Sequence, residues 1–167
     1  AAAGMIRAVQ PVRNPVRQMA DASATHVESA ERERLLGHAG RVVWITGLPC
    51  SGKGPLATAL ERACFDRSIL ATALRGSTLR QGLSADLGFS PEDRDVQLRR
   101  LAHVAALMAD AGLVVVVASV SPVRAARAVA REIVGPDRFV EVHASADAAW
   151  CRAHDTSGIW AAAQAGE

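Results

Sequence analysis

The chain has 167 residues, half of which are hydrophobic, and its formal net charge is +2 at neutral pH. This length is typical of one domain, and the apolar content is enough to fill a single core. The small charge and the 4% content of aromatic residues predict no nucleic-acid partner, because they indicate neither a basic face nor platforms for stacking bases.

Residues 1–40 are predicted to form a polar lead-in with one short helix, which ends at Gly37. From residue 41 onward, apolar runs typical of strands alternate with helical patterns. The predicted strands are 41–46, 68–74, 113–119 and 138–143, and the predicted helices lie near 53–65, 91–111, 122–134 and 146–153. This alternation predicts an α/β fold with a central parallel sheet and helices on both of its faces.

Two of these elements carry clear local signals. The run 113–119 has no polar alternation, which predicts a strand buried on both faces at the centre of the sheet. The helix near 91–111 is expected to begin with Ser90 as its N-cap and Pro91 at its first position, and Gly112 is expected to end it.

A phosphate-binding loop is predicted between the first strand and the helix that follows it. Its sequence is Gly47-Leu48-Pro49-Cys50-Ser51-Gly52-Lys53-Gly54. In such a loop the glycines let backbone N–H groups turn around phosphate oxygens, and the lysine reaches the terminal phosphates. The predicted nucleotide-binding residues are Gly47, Cys50, Ser51, Gly52, Lys53 and Gly54. A chance glycine-rich turn is the alternative, but the order of strand, loop and helix favours a P-loop NTPase-type three-layer sandwich.

The cysteines and the hydropathy pattern bear on the location of the chain. Cys50, Cys64 and Cys151 have no C-x-x-C spacing, so they predict neither a disulfide framework nor a zinc site and favour a reducing cytoplasm. No segment reaches the roughly 18 consecutive apolar residues of a membrane span, so no membrane partner is predicted.

Several segments after the loop occur in the order found in a known enzyme family. They are Leu79-Arg80-Gln81-Gly82-Leu83, the segment 86–94, Arg99-Arg100, the segment 109–113, and Ser121-Pro122 with Arg124 and Arg127. With the loop, they make residues 41–167 resemble the adenylyl-sulfate kinases, which phosphorylate adenosine 5′-phosphosulfate (APS) at its 3′-hydroxyl with MgATP. The segment 82–94 is the most specific part of this resemblance, because a generic P-loop kinase is not expected to share it.

The resemblance implies ATP or ADP as one ligand and a nucleotide or phosphosulfate as the other. The implied substrate-binding residues are Arg80, Phe89, Arg94, Gln97 and Ser121. Arg80 and Arg94 would hold the phosphosulfate, while Phe89 would stack on the adenine. Outside this pattern, surface arginines are usually solvated and a phenylalanine usually belongs to a core, so these roles depend on the resemblance.

Four residues depart from the pattern of the family. Where the family has Asp-Gly-Asp after its second strand, this chain has Arg75-Gly76-Ser77, so the carboxylates that manage Mg²⁺ and the attacking hydroxyl are replaced. Gly54 replaces the Ser or Thr whose hydroxyl holds Mg²⁺, and Pro55 offers no backbone N–H to a phosphate. These changes predict poor Mg²⁺ binding, no metal ligands, no assignable catalytic residue, and loss of most or all phosphoryl transfer.

The chain also stops before the lid and the last strand of the family, which we expect to lower catalysis further because lid closure excludes water. Three hypotheses follow. The first is a nucleotide- or anion-binding domain of sulfate activation with impaired transfer and a regulatory or scaffolding role, as a homodimer or beside a partner such as ATP sulfurylase. The second is an active adenylyl-sulfate kinase, and the third is a purely structural interaction domain.

Overall fold

The structure, a computed structural model, describes residues 27–165, so most of the predicted lead-in lies outside the described residues. The strands are β1 (Arg41–Gly47), β2 (Ala71–Arg75), β3 (Val114–Ala118) and β4 (Phe139–Ala144). The helices are α1 (Ser29–Leu36), α2 (Lys53–Phe65), α3 (Gly76–Arg80), α4 (Pro91–Asp110), α5 (Arg124–Val134), α6 (Ala148–Ala153) and α7 (Ile159–Ala165). Within residues 27–165, no helix combines the length and the apolarity needed to cross a membrane.

In the described part of the chain the strands form one parallel sheet in the order β2-β3-β1-β4. β1 pairs with β3 on one side, where Arg41 lies opposite Val114, and with β4 on the other, where Gly47 lies opposite Ala144. β2 pairs with the other side of β3. The carboxyl ends of all these strands therefore meet at one edge of the sheet, where open α/β folds place their ligands.

Apolar residues on the two faces of the sheet form two cores. One face is covered by α4 and α5 around the fully buried Trp44, and the other is covered by α2 through Ala57. Within β3, Val115 and Val117 belong to the first core, whereas Val116 belongs to the second. The expected α/β fold with a central parallel sheet is confirmed, and so is the burial of β3 on both faces.

The element boundaries agree with the sequence patterns except at short elements. Gly37 ends α1 with a φ of 73°, and the Ser90 hydroxyl caps α4 by accepting from the N–H of Asp93 at 3.1 Å. β2 starts at Ala71, later than expected, because the chain first turns through Ser68, which has a φ of 59°. Helices α3 and α7 were not predicted, because α3 has a single apolar residue and α7 is apolar at nearly every position, so neither shows a helical apolar period.

Candidate functional site

The loop between β1 and α2 lies at the carboxyl edge of the sheet and has an unusual backbone. Gly47 has a φ of 148° and Gly52 a φ of 82°, values that residues with a side chain rarely adopt. Cys50 also has a positive φ, 62°. The loop leads directly into the first turn of α2, whose unpaired N–H groups and helix dipole favour an anion.

Lys53 is the first residue of α2, and its ammonium group folds back onto the loop. The residue is only 8% exposed. Nζ donates to the carbonyl oxygen of Leu48, and to Oγ of Ser51 at 3.2 Å. Burial lowers the pKa of Lys53, because a charged ammonium is less well solvated there than in water. Oxygen atoms of the loop therefore hold the ammonium in a place where phosphate oxygens could replace them.

The residues at the expected magnesium position do not fit a divalent metal. Gly54 has no hydroxyl, and a Cβ placed on it would lie 3.8 Å from Cζ of Arg75. Arg75 ends β2, and its Nη2 donates to Oγ1 of Thr58 at 2.7 Å. Within residues 27–165, no group of three or more His, Cys, Asp or Glu side chains could hold a metal ion. A guanidinium group stands where the resemblance implies metal ligands.

Arg80, the last residue of α3, contacts Phe89 in the segment that joins α3 to α4. Cζ of Arg80 lies 4.4 Å from the centroid of the Phe89 ring, and its Nη1 donates to the carbonyl oxygen of Gly88 at 2.8 Å. Phe89 is 69% exposed. Arg94, in the first turn of α4, is exposed and forms no hydrogen bond or ion pair through its side chain with residues 27–165. The structure thus pairs Arg80 with Phe89 and leaves Arg94 available.

Gln97 and Ser121, the other two implied substrate residues, are buried. Nε2 of Gln97 donates to the carbonyl oxygen of Gly76 at 3.1 Å, and its buried Oε1 has no partner among the described residues. Oγ of Ser121 accepts from Nε1 of Trp44 and donates to Oγ1 of Thr46, each at 3.1 Å. The Gln97 bond ties α4 to the start of α3, and the Ser121 bonds tie the segment after β3 to β1. Contact of either side chain with a substrate stays a prediction.

Residues 155–160, here called the 155–160 turn, lie against the phosphate loop. Oδ1 of Asp155 accepts from Sγ of Cys50 at 3.4 Å, and Nε1 of Trp160 donates to the carbonyl oxygen of Pro49 at 3.3 Å. Asp155 also accepts from the hydroxyl of Ser157 at 2.7 Å and from the N–H of Trp160 at 2.8 Å. The turn therefore stabilises the outer side of the loop through hydrogen bonds to Cys50 and Pro49.

The hydrogen bonds of this turn set the charge state of its carboxylate. The Ser157 hydroxyl, followed by the Trp160 N–H, holds the pKa of Asp155 well below its usual range. Burial, with a further contribution from the hydrogen bond to Asp155, raises the pKa of the Cys50 thiol. Sequence reasoning missed this contact, although Asp155-Thr156-Ser157-Gly158 is a pattern typical of a turn.

Replacing Asp155 with Asn is expected to destabilise the domain at neutral pH. Because the folded state lowers the pKa of Asp155, its carboxylate stabilises the fold fully above the unfolded value of about 3.9, and this contribution is lost as the pH falls below it. Urea denaturation of wild type and Asp155→Asn between about pH 7 and about pH 3 measures the difference in unfolding free energy, which should shrink with acid.

The matched control for this prediction is Asp95→Asn. Asp95 is an exposed residue of α4 whose carboxylate forms no hydrogen bond or ion pair with residues 27–165. Its replacement should leave the unfolding free energy unchanged within about 0.5 kcal/mol. A difference for Asp155→Asn that stays constant across the pH range would show that the ionised carboxylate is not what stabilises the turn.

A separate cavity of about 320 Å³ opens at the opposite edge of the sheet. It is lined by Glu33, Arg41, Gly112, Gly135 and Arg138, among others. Arg41 begins β1, so this cavity lies at the amino ends of the strands and is not part of the phosphate-loop site.

Comparison with known proteins identifies the family of the chain. The family model described as adenylylsulphate kinase matches residues 39–167. The chain belongs to the adenylylsulphate kinase family. A curated member, the adenylyl-sulfate kinase of Enterobacter sp. (strain 638), is 49% identical over 141 residues, which make up 84% of this chain and 70% of that protein.

Solved structures of adenylylsulphate kinases share the fold. The APS kinase CysC of Mycobacterium tuberculosis, in complex with AMPPNP and APS, gives a TM-score of 0.73 at 44% identity, covering 77% of this chain and 75% of that chain. The hexameric APS kinase of Thiobacillus denitrificans gives a TM-score of 0.57 at 33% identity, covering 68% of this chain and 24% of that chain. The prediction of an adenylyl-sulfate kinase-type domain with a P-loop kinase fold is confirmed.

Proposed function

We propose that this domain binds ATP at the phosphate loop and APS beside Arg80 and Phe89, and transfers the γ-phosphate to the 3′-hydroxyl of APS. The observation that carries the proposal is that Lys53 is the first residue of α2 and directly follows a loop whose glycines adopt positive φ values. The substrate follows from family membership, and it is supported by a relative that was solved with AMPPNP and APS and is 44% identical to this chain over the aligned part.

Lys53 supplies the positive charge for the nucleotide phosphates. In the structure its ammonium donates to the Leu48 carbonyl and the Ser51 hydroxyl, which are both neutral acceptors. A phosphate oxygen is a stronger acceptor because it is charged, so we expect it to draw the ammonium from the loop. The N-terminal dipole of α2 adds to this attraction, and the low exposure of Lys53 reduces the screening by water.

The contact between Arg80 and Phe89 supports an APS site in the segment that joins α3 to α4. The exposed Phe89 ring offers a flat surface on which an adenine could stack, and the guanidinium of Arg80 lies against the same ring. Arg94 could turn toward a phosphosulfate without breaking an ion pair. The planar fork of an arginine donates two parallel hydrogen bonds to such a group.

A second candidate is ligand binding without turnover, and the position of Arg75 favours it. Arg75 ends β2 and Ser77 lies in α3, where the family resemblance implies carboxylates. Such a domain would have a regulatory or scaffolding role in sulfate activation, in a homodimer or beside ATP sulfurylase. The 49% identity to an adenylyl-sulfate kinase favours the active kinase over this candidate.

Calorimetric titration with ADP, ATP and APS, combined with a coupled assay of ATP-dependent APS phosphorylation, separates the candidates. The active kinase predicts binding together with turnover in the ordinary range of roughly 1–100 s⁻¹. The second candidate predicts binding with no turnover above the background of the Lys53→Met variant. If none of the three ligands binds, both candidates are wrong and a purely structural interaction domain is supported.

A further inference from the structure

Arg75 and Gly54 are neighbours beside the first turn of α2. Cζ and Nε of Arg75 lie 3.8 and 3.9 Å from the point where a Cβ on Gly54 would be. The same guanidinium donates to Oγ1 of Thr58 at 2.7 Å, and that hydroxyl donates in turn to the carbonyl oxygen of Gly54 at 3.2 Å. The exposed guanidinium is therefore held by one hydrogen bond alongside the residues that follow Lys53.

This position is close to the place where a P-loop holds its metal. In other P-loops a Ser or Thr stands where this chain has Gly54, and its hydroxyl is a ligand of Mg²⁺. Mg²⁺ lies about 2.1 Å from its oxygen ligands. A metal held there would be within about 3.5 Å of the Cβ of residue 54. Cζ of Arg75 lies 3.8 Å from that Cβ, so the metal and the guanidinium would be no more than about 7 Å apart and would repel each other.

Two protein oxygens near Arg75 that could offset this repulsion are already engaged in hydrogen bonds. Mg²⁺ in a phosphate site is held by one or two protein oxygens together with phosphate oxygens and waters. The Thr58 hydroxyl already accepts from the guanidinium of Arg75. The carboxylate of Glu61, one turn further along α2, accepts from the backbone N–H of Ala73 at 2.8 Å. These two oxygens therefore accept from Arg75 and from the backbone of β2, and they are not free to bind a metal.

We infer that the Arg75 guanidinium, set against Gly54, is a fixed cation in place of the divalent metal, so that the loop binds adenine nucleotides in their metal-free form. The inference rests on the proposed nucleotide site and states which form of the nucleotide it takes. Because phosphoryl transfer depends on a metal ion, it favours the second candidate, ligand binding without turnover. An arginine has five N–H donors, and Arg75 uses one of them on Thr58. Its remaining donors match phosphate oxygens, and its charge persists at any relevant pH.

Calorimetric titration of the full chain with ADP and ATP, in EDTA and in excess MgCl₂, tests the inference. We expect both nucleotides to bind at least as tightly in EDTA as with Mg²⁺. Arg75→Gln should weaken ADP binding in EDTA by about tenfold or more, because a charge-assisted hydrogen bond to phosphate is lost. The double variant Gly54→Ser/Arg75→Asp restores a hydroxyl and a carboxylate, and it should bind ADP more tightly with Mg²⁺ than in EDTA.

The matched control is Arg67→Gln. Arg67 follows α2, and like Arg75 it donates one side-chain hydrogen bond to an oxygen of that helix, the carbonyl of Ala63, but at the far end. Its replacement should leave both affinities unchanged. Wild-type binding that requires Mg²⁺, or an Arg75→Gln variant that binds metal-free ADP as tightly as wild type, overturns the inference and leaves the nucleotide site standing. Absence of ADP binding in both buffers overturns the inference and the nucleotide site together.

Discussion

Replacing Lys53 with Met is expected to weaken ADP binding by at least ~100-fold, because losing charge-assisted hydrogen bonds to two phosphates costs about 3 kcal/mol or more. Lys53 is the only lysine in the chain, so no other ammonium could take over its role. Methionine keeps a side chain of similar length and removes only the charge and the donors. Calorimetric titration of the variant with ADP gives the affinity directly.

The same substitution should not lower the stability of the domain. Burial lowers the pKa of Lys53, which means that the folded state disfavours its charged form and that this charge carries a cost near neutral pH. The Leu48 carbonyl would still accept from the backbone N–H of Ser51 at 3.2 Å. Thermal unfolding of Lys53→Met should therefore occur at the same temperature as that of wild type or higher. Retained ADP binding, or a markedly lower Tm, would contradict this account of Lys53.

The fold was predictable wherever one element carried a strong periodic signal. The boundaries of α2 and β1 were set by local sequence, since apolar runs meet glycines at both ends of the phosphate loop. The first turn of α4 followed from its Ser-Pro cap, because the Ser90 hydroxyl accepts from the Asp93 N–H as expected. The start of β2 was not predictable in this way. Ser68 belongs to a turn with a positive φ, and a backbone angle does not change the hydropathy pattern from which strands are predicted.

The candidate site was predictable as a set of residues but not as a set of contacts. Gly54 and Arg75 were each recognised as departures from the family, yet their proximity depends on β2 lying beside α2, which is a tertiary relation. The hydrogen bond between Cys50 and Asp155 joins residues that are 105 positions apart in the chain. A single sequence carries no signal for either contact. The chemistry of a side chain determines what it can bind, but the fold determines which residues lie next to it.

These two contacts place different constraints on the phosphate loop. Arg75 acts on the side of α2 and concerns the charge that the nucleotide meets. Asp155 and Trp160 act on the outer part of the loop, at Cys50 and Pro49, and concern its backbone shape. Loss of the first should change the affinity for nucleotides and their dependence on metal, whereas loss of the second should mainly change the unfolding free energy and its dependence on pH.

Replacing Gly47 with Ala is expected to destabilise the domain by about 2–4 kcal/mol, because it combines backbone strain with a steric clash. Gly47 has a φ of 148°, and its Cβ would lie 2.7 Å from the carbonyl oxygen of Ala144 and 2.9 Å from Oγ of Ser51. The carbonyl belongs to the neighbouring strand β4 and cannot move without disturbing the pairing of Gly47 with Ala144. The displaced Ser51 hydroxyl is an acceptor of Lys53, so ADP binding should also be lost.

Gly82→Ala is the matched control, and urea denaturation with ADP calorimetry at neutral pH is the measurement. A Cβ on Gly82 would meet no atom within 4 Å, and its φ lies outside the positive range that side chains avoid. This replacement should therefore change the unfolding free energy by less than about 0.5 kcal/mol and leave ADP binding intact. If Gly47→Ala matched Gly82→Ala in both measurements, the loop in solution would not have the close approach to β4 from which the phosphate site is built.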